Sequence, residues 1–331
     1  MGRSWLLPFA VILLGAMSPA FPTERKLLYR EVNLAALYSR EEARLDFHPT
    51  PLNSSAGLEY LYKAADPHPG EWNVDAIDLY LQLVYDPQKD RSEVRLQDAW
   101  VRYVEPVSDL RVRLGRFPLP FGLNPIAEPR GETLQPLAAF DLGFKKDWGI
   151  AMQADWGEFA LETAATLGMA HDLRRQRGSH LWSGRIGMPT YRDVQYGVSM
   201  LYGNVARFGR SSDLQRRWRM AGDLVYMYHE PFTVLKAELT LGADETTPVG
   251  GVLVGWNQIL PSNPLWGIEA QARLWDEDRS ADDAVRAQTT IGVWRSLARL
   301  LTVRLHWRHH FASDIQPQDD RLFTQLYYYG Y

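Results

Sequence analysis

Cysteine is absent from the 331-residue chain. Without cysteine the protein can form neither a disulfide nor a thiolate metal site, and it has no thiol nucleophile. The formal net charge is only −4, which argues against a nucleic-acid-binding protein held by overall charge. The hydrolase motif G-x-S-x-G and a lysine-containing phosphate loop are also missing, so the common signatures of serine hydrolases and nucleotide-binding enzymes are absent.

Long apolar runs are missing too, apart from the N-terminus. Residues 1–20, MGRSWLLPFAVILLGAMSPA, have an early arginine, an apolar run from Trp5 to Met17 and small residues at the end. This order is typical of a secretory signal peptide cleaved after Ala20. An uncleaved anchor helix is the alternative, but the run is short for a membrane span of roughly 20 residues. We therefore expect export and one mature domain over residues 21–331.

Apolar residues still make up 46% of the chain, and they alternate with polar residues instead of forming blocks. In AIDLYLQLVYD, Ile77, Leu79, Leu81 and Leu83 share one side, and PLWGIEAQARLW and LLTVRLHWRHH follow the same pattern. A helix would bring apolar residues back every three or four positions, whereas alternation over about ten residues predicts a strand.

About sixteen such strands can be placed, each near the length that a tilted strand needs to cross a bilayer. From the fifth strand onward, tight connections alternate with long polar ones, a rhythm typical of outer-membrane barrels and unexpected in a soluble β-sandwich. The sequence thus predicts an all-β fold, a transmembrane antiparallel β-barrel closed by its C-terminal strand. The predicted strands are 31–39, 56–64, 76–86, 92–104, 109–117, 147–155, 158–168, 181–189, 193–203, 217–229, 231–243, 248–259, 263–275, 284–295, 298–310 and 321–331.

The chain ends in RLFTQLYYYGY, where Phe323, Tyr327, Tyr329 and Tyr331 share one parity that only Gln325 interrupts. The last strand of a barrel must pair with the first, because an open edge in lipid leaves backbone groups unsatisfied. We expect the four rings to face lipid near the interface. The ending also resembles the terminal aromatic signature by which bacterial outer-membrane proteins reach the barrel assembly machinery, so these four residues are the predicted assembly signal.

The stretch LQDAWVRYVEPVSDLRVRLGRFPLPFGLNP carries the most specific motif. It combines an Asp-Ala-aromatic strand, a tight turn, a strand ending in Gly-Arg-Phe and then Pro-Phe-Gly, at positions Asp98, Ala99, Trp100, Gly115, Arg116, Phe117, Pro120, Phe121 and Gly122. This block resembles the phosphate-selective porin O/P family. The resemblance implies a passive, homotrimeric channel in the bacterial outer membrane. It does not establish phosphate as the solute, because the family's phosphate-binding ladder cannot be aligned with this chain.

The longest interruption, residues 117–146, would form the third external loop, and irregular segments of this length are usually functional. In porins of this size the corresponding loop folds into the lumen and narrows it, so we expect a constriction loop here. A loop lying over the outer mouth is the alternative. The candidate constriction residues are Glu128, Arg130, Glu132, Asp141, Lys145 and Lys146.

Inward faces assigned by the alternation carry both signs of charge. Because arginines lining a wide aqueous pore favour anions without dehydrating them, we predict a porin for small hydrophilic solutes with a weak preference for anions, phosphate among them. The candidate pore-lining cations are Arg111, Arg113, Arg185, Arg219, Lys236, Arg273, Arg286, Arg304 and Arg308. The acids predicted on the same faces are Glu59, Asp78, Asp98, Glu162, Asp223, Glu238 and Glu269.

The predicted partners are the lipid bilayer, the assembly machinery, further copies of the chain and small anionic or polar solutes. We predict no catalytic residues, metal site, cofactor or nucleic-acid partner. Two alternatives remain, a structural or adhesive barrel with a plugged lumen and a lipid-modifying barrel enzyme. The enzyme would need a nucleophile and a base on one outward face near the interface, and the sequence offers no such pair.

Overall fold

A computed structural model describes residues 25–46, 54–63, 73–86, 91–105, 110–126, 134–140, 142–170, 176–190, 192–207, 210–276, 285–312 and 318–331. In these ranges one antiparallel sheet contains seventeen strands: β1 (Arg25–Ser39), β2 (Arg44–Asp46), β3 (Ser55–Lys63), β4 (Asn73–Asp86), β5 (Arg91–Glu105), β6 (Leu110–Pro118), β7 (Lys146–Trp156), β8 (Phe159–Thr166), β9 (His180–Gly187), β10 (Val194–Arg207), β11 (Arg210–His229), β12 (Phe232–Asp244), β13 (Thr247–Ile259), β14 (Trp266–Asp276), β15 (Val285–Ala298), β16 (Leu301–His310) and β17 (Asp319–Gly330). A short 3-10 turn, Leu137–Phe140, lies between β6 and β7. No helix in the same ranges has the length and apolar character of a membrane span.

The sheet closes on itself. Strand β17 pairs with β1 from Arg30↔Gly330 to Ser39↔Arg321, and the other edge of β1 pairs with β3. Strands β3 to β17 each pair with their neighbours along the chain. The described strands therefore form a closed antiparallel barrel of sixteen strands, with β2 as a three-residue addition on the end of β1. This closure gives the backbone N–H and C=O groups of both sheet edges hydrogen-bond partners. It confirms the predicted fold class.

The predicted strand boundaries differ from the observed ones mainly at two places. Strand β1 begins at Arg25, ahead of the predicted residue 31, and a turn after Ser39 folds the unpredicted β2 back onto it. The segment NVARFGRSSDLQRR, expected as a long loop, is mostly strand, because β10 runs to Arg207 and β11 begins at Arg210.

Side-chain burial is inverted relative to a soluble protein. On β12, Leu239 is 51% exposed while its neighbours Glu238 and Thr240 are 2% and 0% exposed. Apolar residues on the outside and polar residues on the inside are what lipid and a polar interior select in a barrel.

The last strand reverses the predicted orientation of the aromatic row. Phe323 and Tyr327 are buried, in line with the buried Gln325, whereas Leu322 is exposed on the outer face. The prediction that these two rings face lipid is therefore wrong. The physical reason is that the same row continues through Asp319, which lipid would exclude.

The two remaining aromatic residues of the ending lie beyond Tyr327. The Tyr329 hydroxyl donates to the Glu59 carboxylate over 2.6 Å, and its ring stacks on Tyr29 with centroids 4.8 Å apart. Tyr331 is exposed at the end of the chain. Tyr329 therefore also faces the inside, and the prediction that its ring faces lipid is wrong as well. Tyrosine contacts close the inner side of the seam between the last and first strands.

Candidate functional site

The segment between β6 and β7, residues 119–145, is called the inner loop, because the parts of it that the structure describes lie inside the barrel. Its described parts are 119–126, 134–140 and 142–145. Leu119, Phe121 and Leu137 are fully buried, and they pack on inward-facing residues of the wall. The described parts of the loop therefore lie in the lumen, as expected.

The motif residues build the root of this loop. Gly115 has a φ of 126°, and a Cβ there would lie 2.0 Å from the Ala99 carbonyl oxygen, so a larger residue does not fit. Next to it, the buried Arg116 guanidinium donates to the backbone carbonyl of Leu96 over 2.8 Å. The Lys146 ammonium, at the far end of the loop, pairs with Asp98 at 2.5 Å.

One apolar cluster fixes the beginning and end of the inner loop. Phe117, Leu119, Phe121 and Phe144 are buried in it, together with small and aliphatic inward residues of β7 to β11. Apolar side chains on the inside of a barrel need a cover, because exposing them to water is unfavourable by about 25 cal/mol per Å². The loop provides that cover. The wall residues in the cluster are Ala151, Ala164, Leu181, Leu201, Val205 and Ala221.

A second apolar cluster holds the middle of the loop. Leu123, Leu137 and Leu142 are buried against inward residues of β11, β13 and β14, namely Val225, Val249, Leu253 and Trp275. Leu142 also lies over Gly251 of β13, where an added Cβ would be 2.3 Å from its Cδ1 atom. The absence of a side chain at position 251 therefore makes room for the loop.

Polar wall residues satisfy the backbone of the loop. The Glu238 carboxylate accepts the N–H of Leu137 at 2.9 Å and that of Leu123 at 3.4 Å. The Gly122 N–H donates to the Ser199 hydroxyl over 2.8 Å. Gly122 has a φ of 53°, and a Cβ there would lie 2.0 Å from Glu238 Oε1. Buried backbone donors need acceptors, so Glu238 is an anchor point of the loop.

Arginines of β11 hold the returning arm of the loop. The Arg217 guanidinium is fully buried, donates to the Gly143 carbonyl over 3.0 Å and pairs with Asp244 at 2.8 Å. Arg219 pairs with the same carboxylate at 2.8 Å. These contacts are interior ion pairs that position the loop, and they leave the two guanidiniums little access to a solute.

The inward faces of β15, β16, β17, β1, β3 and β4 form what we call the polar wall. Here Arg304 donates to Gln325 over 2.9 Å, and Gln325 donates to Asn33 over 2.9 Å. The inner-loop contacts described above are with strands β7 to β14. Within the described residues the lumen is therefore asymmetric, with the loop and its two apolar clusters on one side and the polar wall on the other. Buried polar residues of this wall include Gln288, Thr290, His306, Arg308, Gln325, Asn33, Glu31, Glu59 and Asp78.

All nine cations predicted to line the pore lie at inward strand positions. At least five of them have a carboxylate within 4.0 Å, which offsets much of their charge. Those pairs are Arg111–Asp155 at 3.4 Å, Arg113–Glu162 at 3.6 Å, Arg185–Asp223 at 2.5 Å, Arg219–Asp244 at 2.8 Å and Arg304–Glu269 at 3.7 Å. Arg273 stacks on Phe140 of the inner loop and Arg308 on Phe323, while Lys236 and Arg286 occupy inward positions of β12 and β15.

Of the six predicted constriction residues, only two belong to the described part of the chain. Lys145 donates to the Gln135 side chain over 2.7 Å within the loop, and Lys146 is buried at the loop root. Glu128, Arg130, Glu132 and Asp141 lie outside the described residues. The anchors Glu238, Ser199 and Arg217 were not predicted as loop contacts, because no local pattern links them to a segment about a hundred residues away.

The histidines near the end of the chain face different sides. His306 is buried on the inner face and contacts Glu269, whereas His309 shares the outer parity and contacts Asp320 at 2.8 Å. Within the described ranges, no group of three or more His, Asp and Glu side chains is arranged to hold a metal ion.

No protein-family model matches the chain, and no curated protein matches it in sequence. Solved structures of outer-membrane proteins match its fold. Salmonella typhi OmpF in complex with daunomycin superposes with a TM-score of 0.65 at 9% identity, covering 92% of this chain and 98% of that one. The outer membrane channel DcaP of Acinetobacter baumannii gives 0.61 at 12%, covering 95% and 100%. An anion-selective porin from Comamonas acidovorans gives 0.58 at 13%, covering 93% and 99%. At these identities the likeness establishes the barrel fold.

Proposed function

We propose that the protein is an outer-membrane porin through which small hydrophilic solutes diffuse passively. The asymmetric lumen carries this proposal: the inner loop covers the side formed by β7 to β14, and the wall opposite is polar. A polar wall in a barrel interior is stable when it faces water or polar solutes. The fold shared with a channel and a porin supports the same function.

The inner loop is the proposed constriction. Its described parts are held by the two apolar clusters and by hydrogen bonds to Glu238, Ser199 and Arg217, which supports a fixed constriction. Solutes would pass between the loop and the polar wall, and the loop would set the upper limit of their size.

The proposed selectivity is a weak preference for anions. Ion pairs offset at least five of the nine inward cations, which supports a weak preference over a strong one. Arg273 and Arg308, stacked on aromatic rings at the loop and on the polar wall, are the cations we expect to contribute most. The resemblance to the phosphate-selective porin O/P family supports anion transport and leaves the solute open.

We further propose that the mature chain begins at residue 21, crosses the bacterial outer membrane and assembles as a homotrimer. The predicted signal peptide and the barrel support the location, and the family resemblance supports the trimer. The role of Phe323, Tyr327, Tyr329 and Tyr331 as an assembly signal stays a prediction. It concerns recognition of the unfolded chain, so the inward orientation of Phe323 and Tyr327 in the folded barrel does not exclude it.

Liposome swelling tests the proposed function. Purified folded protein reconstituted into liposomes should admit neutral sugars at rates that fall steeply as the sugar becomes larger. A plugged structural or adhesive barrel would admit none of them. A lipid-modifying enzyme would leave the liposomes impermeable and change their lipids, which thin-layer chromatography would detect.

The reversal potential across a potassium chloride gradient tests the selectivity. We expect the sign that reports a preference for chloride, with the largest effect at low salt, where the Debye length is roughly 30 Å at 0.01 M. A sign reporting preference for potassium would reject the anion preference and leave the channel function intact.

A further inference from the structure

The chain packs against the root of the inner loop directly after β8, at residues 167–170, which we call the brace segment. The N–H of Leu167 still donates to the Trp148 carbonyl of β7 over 2.9 Å, and the chain then leaves the sheet. Met169 is only 4% exposed. Ala170 packs on the apolar cluster that fixes the beginning and end of the inner loop. The brace segment therefore contacts the same cluster as the loop.

One carboxylate fixes the middle of the brace segment. Asp147 of β7 is fully buried. Its Oδ2 atom accepts the Gly168 N–H at 2.5 Å, and its Oδ1 atom accepts the Met169 N–H at 3.3 Å. Asp147 also lies directly opposite Phe117 in the pairing of β6 with β7, next to the points where the inner loop leaves and rejoins the sheet. Because buried N–H groups need acceptors, the carboxylate ties the brace segment to the loop root.

The arginine of the Gly-Arg-Phe motif connects the brace segment to β5. Arg116 is 2% exposed. Its Nη1 atom donates to the Leu96 carbonyl over 2.8 Å, and its Nε atom donates to the Ala170 carbonyl over 3.3 Å. A guanidinium holds its donors in a rigid planar fork, whereas the ammonium group of lysine carries all its donors on one atom. The fork of Arg116 thus joins two backbone segments that an ammonium group would hold less firmly.

The backbone of the brace segment adopts two unusual conformations. Gly168 has a φ of 72°, and a Cβ there would lie 2.8 Å from the Asn204 carbonyl oxygen of β10. The Gly168 carbonyl accepts the Ala206 N–H of the same strand at 2.7 Å. Ala170 has a φ of 56°, which is unfavourable for a residue with a side chain. Such conformations persist where surrounding contacts fix them, and they are common at functional sites.

We infer that the brace segment positions the inner loop, and that Asp147 and Arg116 are the positioning residues that join the two. The two residues lie on the strands from which the loop departs and to which it returns, so release of the brace segment frees the loop at its root. The inference deepens the proposed function, because the brace segment then helps to set the width of the constriction. It rests on that function only for the effect on solutes. The contact between brace segment and loop requires no conduction.

A single thiol reports whether the brace segment is in place. Because the chain contains no cysteine, Met169→Cys supplies the only thiol, and its reaction with the hydrophilic reagent MTSET is followed by mass spectrometry of the folded protein in detergent. Adding Asp147→Asn should speed the reaction about tenfold, which corresponds to about 1.4 kcal/mol in the opening equilibrium. The physical reason is that an amide has one acceptor oxygen for two N–H donors. Arg116→Lys should also speed the reaction, although it keeps the charge.

Asp155→Asn is the matched control for this measurement. Asp155 is an acidic residue at the other end of the same strand, where it pairs with Arg111 at 3.4 Å. Combined with Met169→Cys, it should leave the rate of thiol reaction unchanged. Equal rates in the Asp147→Asn and Asp155→Asn proteins would overturn the inference.

Trypsin cleavage within the inner loop shows whether the brace segment positions the loop. Gly168→Ala displaces the segment and keeps both positioning residues, so it should speed the cleavage, as should Asp147→Asn. Gly157→Ala is the control, because Gly157 also has a positive φ, 61°, but a Cβ there would meet nothing within 4 Å. It should leave the cleavage unchanged. Faster thiol reaction with unchanged loop cleavage would show that the loop does not depend on the brace segment and would overturn the inference.

Single-channel conductance in a planar bilayer separates positioning from a merely structural role. Asp147→Asn and Gly168→Ala should raise the conductance. A structural role alone would lower the urea midpoint of unfolding and leave the conductance of the folded protein unchanged, and that result would overturn the inference. Faster thiol reaction and loop cleavage in protein that carries no current would uphold the brace and contradict the porin proposal. Steady current with no difference among the variants would do the reverse.

Discussion

The Glu238 carboxylate on β12 accepts a hydrogen bond from the backbone N–H of Leu137, 2.9 Å away in the inner loop. The two residues are 101 positions apart in the chain. A second loop donor, the N–H of Leu123, reaches the same carboxylate. One acidic side chain thus connects both arms of the loop to the wall.

Replacing Glu238 with Ala should loosen the inner loop and raise the single-channel conductance. The change leaves two buried N–H groups without their acceptor, at about 1–3 kcal/mol each. Glu238→Gln keeps a carbonyl oxygen that can accept one of these bonds, so its conductance should lie between that of the unmodified protein and that of Glu238→Ala. Identical conductance in all three proteins would show that Glu238 does not position the loop.

Adding a single methyl group at Gly251 should displace the loop from β13. The new Cβ of Gly251→Ala would lie 2.3 Å from Leu142 Cδ1, and overpacking of this kind costs about 1–3 kcal/mol. We expect faster trypsin cleavage within the loop, measured by mass spectrometry of the folded protein. Gly255→Ala is the control on the same strand and face, because the atom nearest to its new Cβ is 3.9 Å away. Equal cleavage rates in the two variants would contradict the packing of Leu142 on Gly251.

Replacing Leu239 with Arg tests which face of β12 meets lipid. Leu239 is exposed on the outer face near the middle of the strand, where an arginine should cost about 2–4 kcal/mol of unfolding free energy. Lys236→Arg is the control, since position 236 faces inward and already carries a cation. Urea-induced folding and unfolding in lipid vesicles measures the unfolding free energy of both variants. If the two substitutions cost the same, the assignment of faces on β12 is wrong.

Deleting Tyr331 should reduce barrel assembly, because the chain then loses the terminal aromatic residue of the predicted assembly signal. The measurement is the fraction of heat-modifiable, folded protein in the outer membrane. Tyr329→Phe is the control. It keeps the ring that stacks on Tyr29 and removes the hydroxyl that bonds to Glu59, so it should assemble normally with a stability loss of about 0.5–1.5 kcal/mol. Unchanged assembly after deletion of Tyr331 would show that Tyr331 is not part of the assembly signal.

The strands could be predicted because each one lies between lipid and a polar interior. Those two environments select opposite residue types at alternate positions. The residues of a single strand such as β12 are therefore enough to predict where the strand begins and ends and which side chains face lipid. Strand β2 has only three residues, too few for an alternation to appear. It forms because a turn returns the chain to β1.

The last strand shows where alternation alone misleads. Both of its faces contain apolar residues, with Phe323 and Tyr327 on one and Leu322 and Leu326 on the other. The deciding signal was present in Asp319 and Gln325, polar residues in the same row as the aromatic rings. Tyrosine can lie on either side of a barrel, because its hydroxyl finds a partner inside just as Tyr329 finds Glu59.

The inner loop could be located from the sequence, but its contacts could not. Its length and the Gly-Arg-Phe and Pro-Phe-Gly motifs mark it. Contacts such as Glu238 with Leu137, however, depend on how the closed barrel places distant strands opposite the loop. Apolar residues at inward positions, Leu181 and Leu201 among them, interrupt the polar inner face. This interruption is the feature of the sequence that indicates where the loop covers the wall.

The steady ionic current carried by the purified protein in a planar lipid bilayer tests the central claim most directly. An open barrel narrowed by the inner loop should insert in discrete steps, each adding the same stable conductance. The absence of any steady current from protein that is demonstrably folded, at all applied voltages, would contradict the account and favour a plugged barrel.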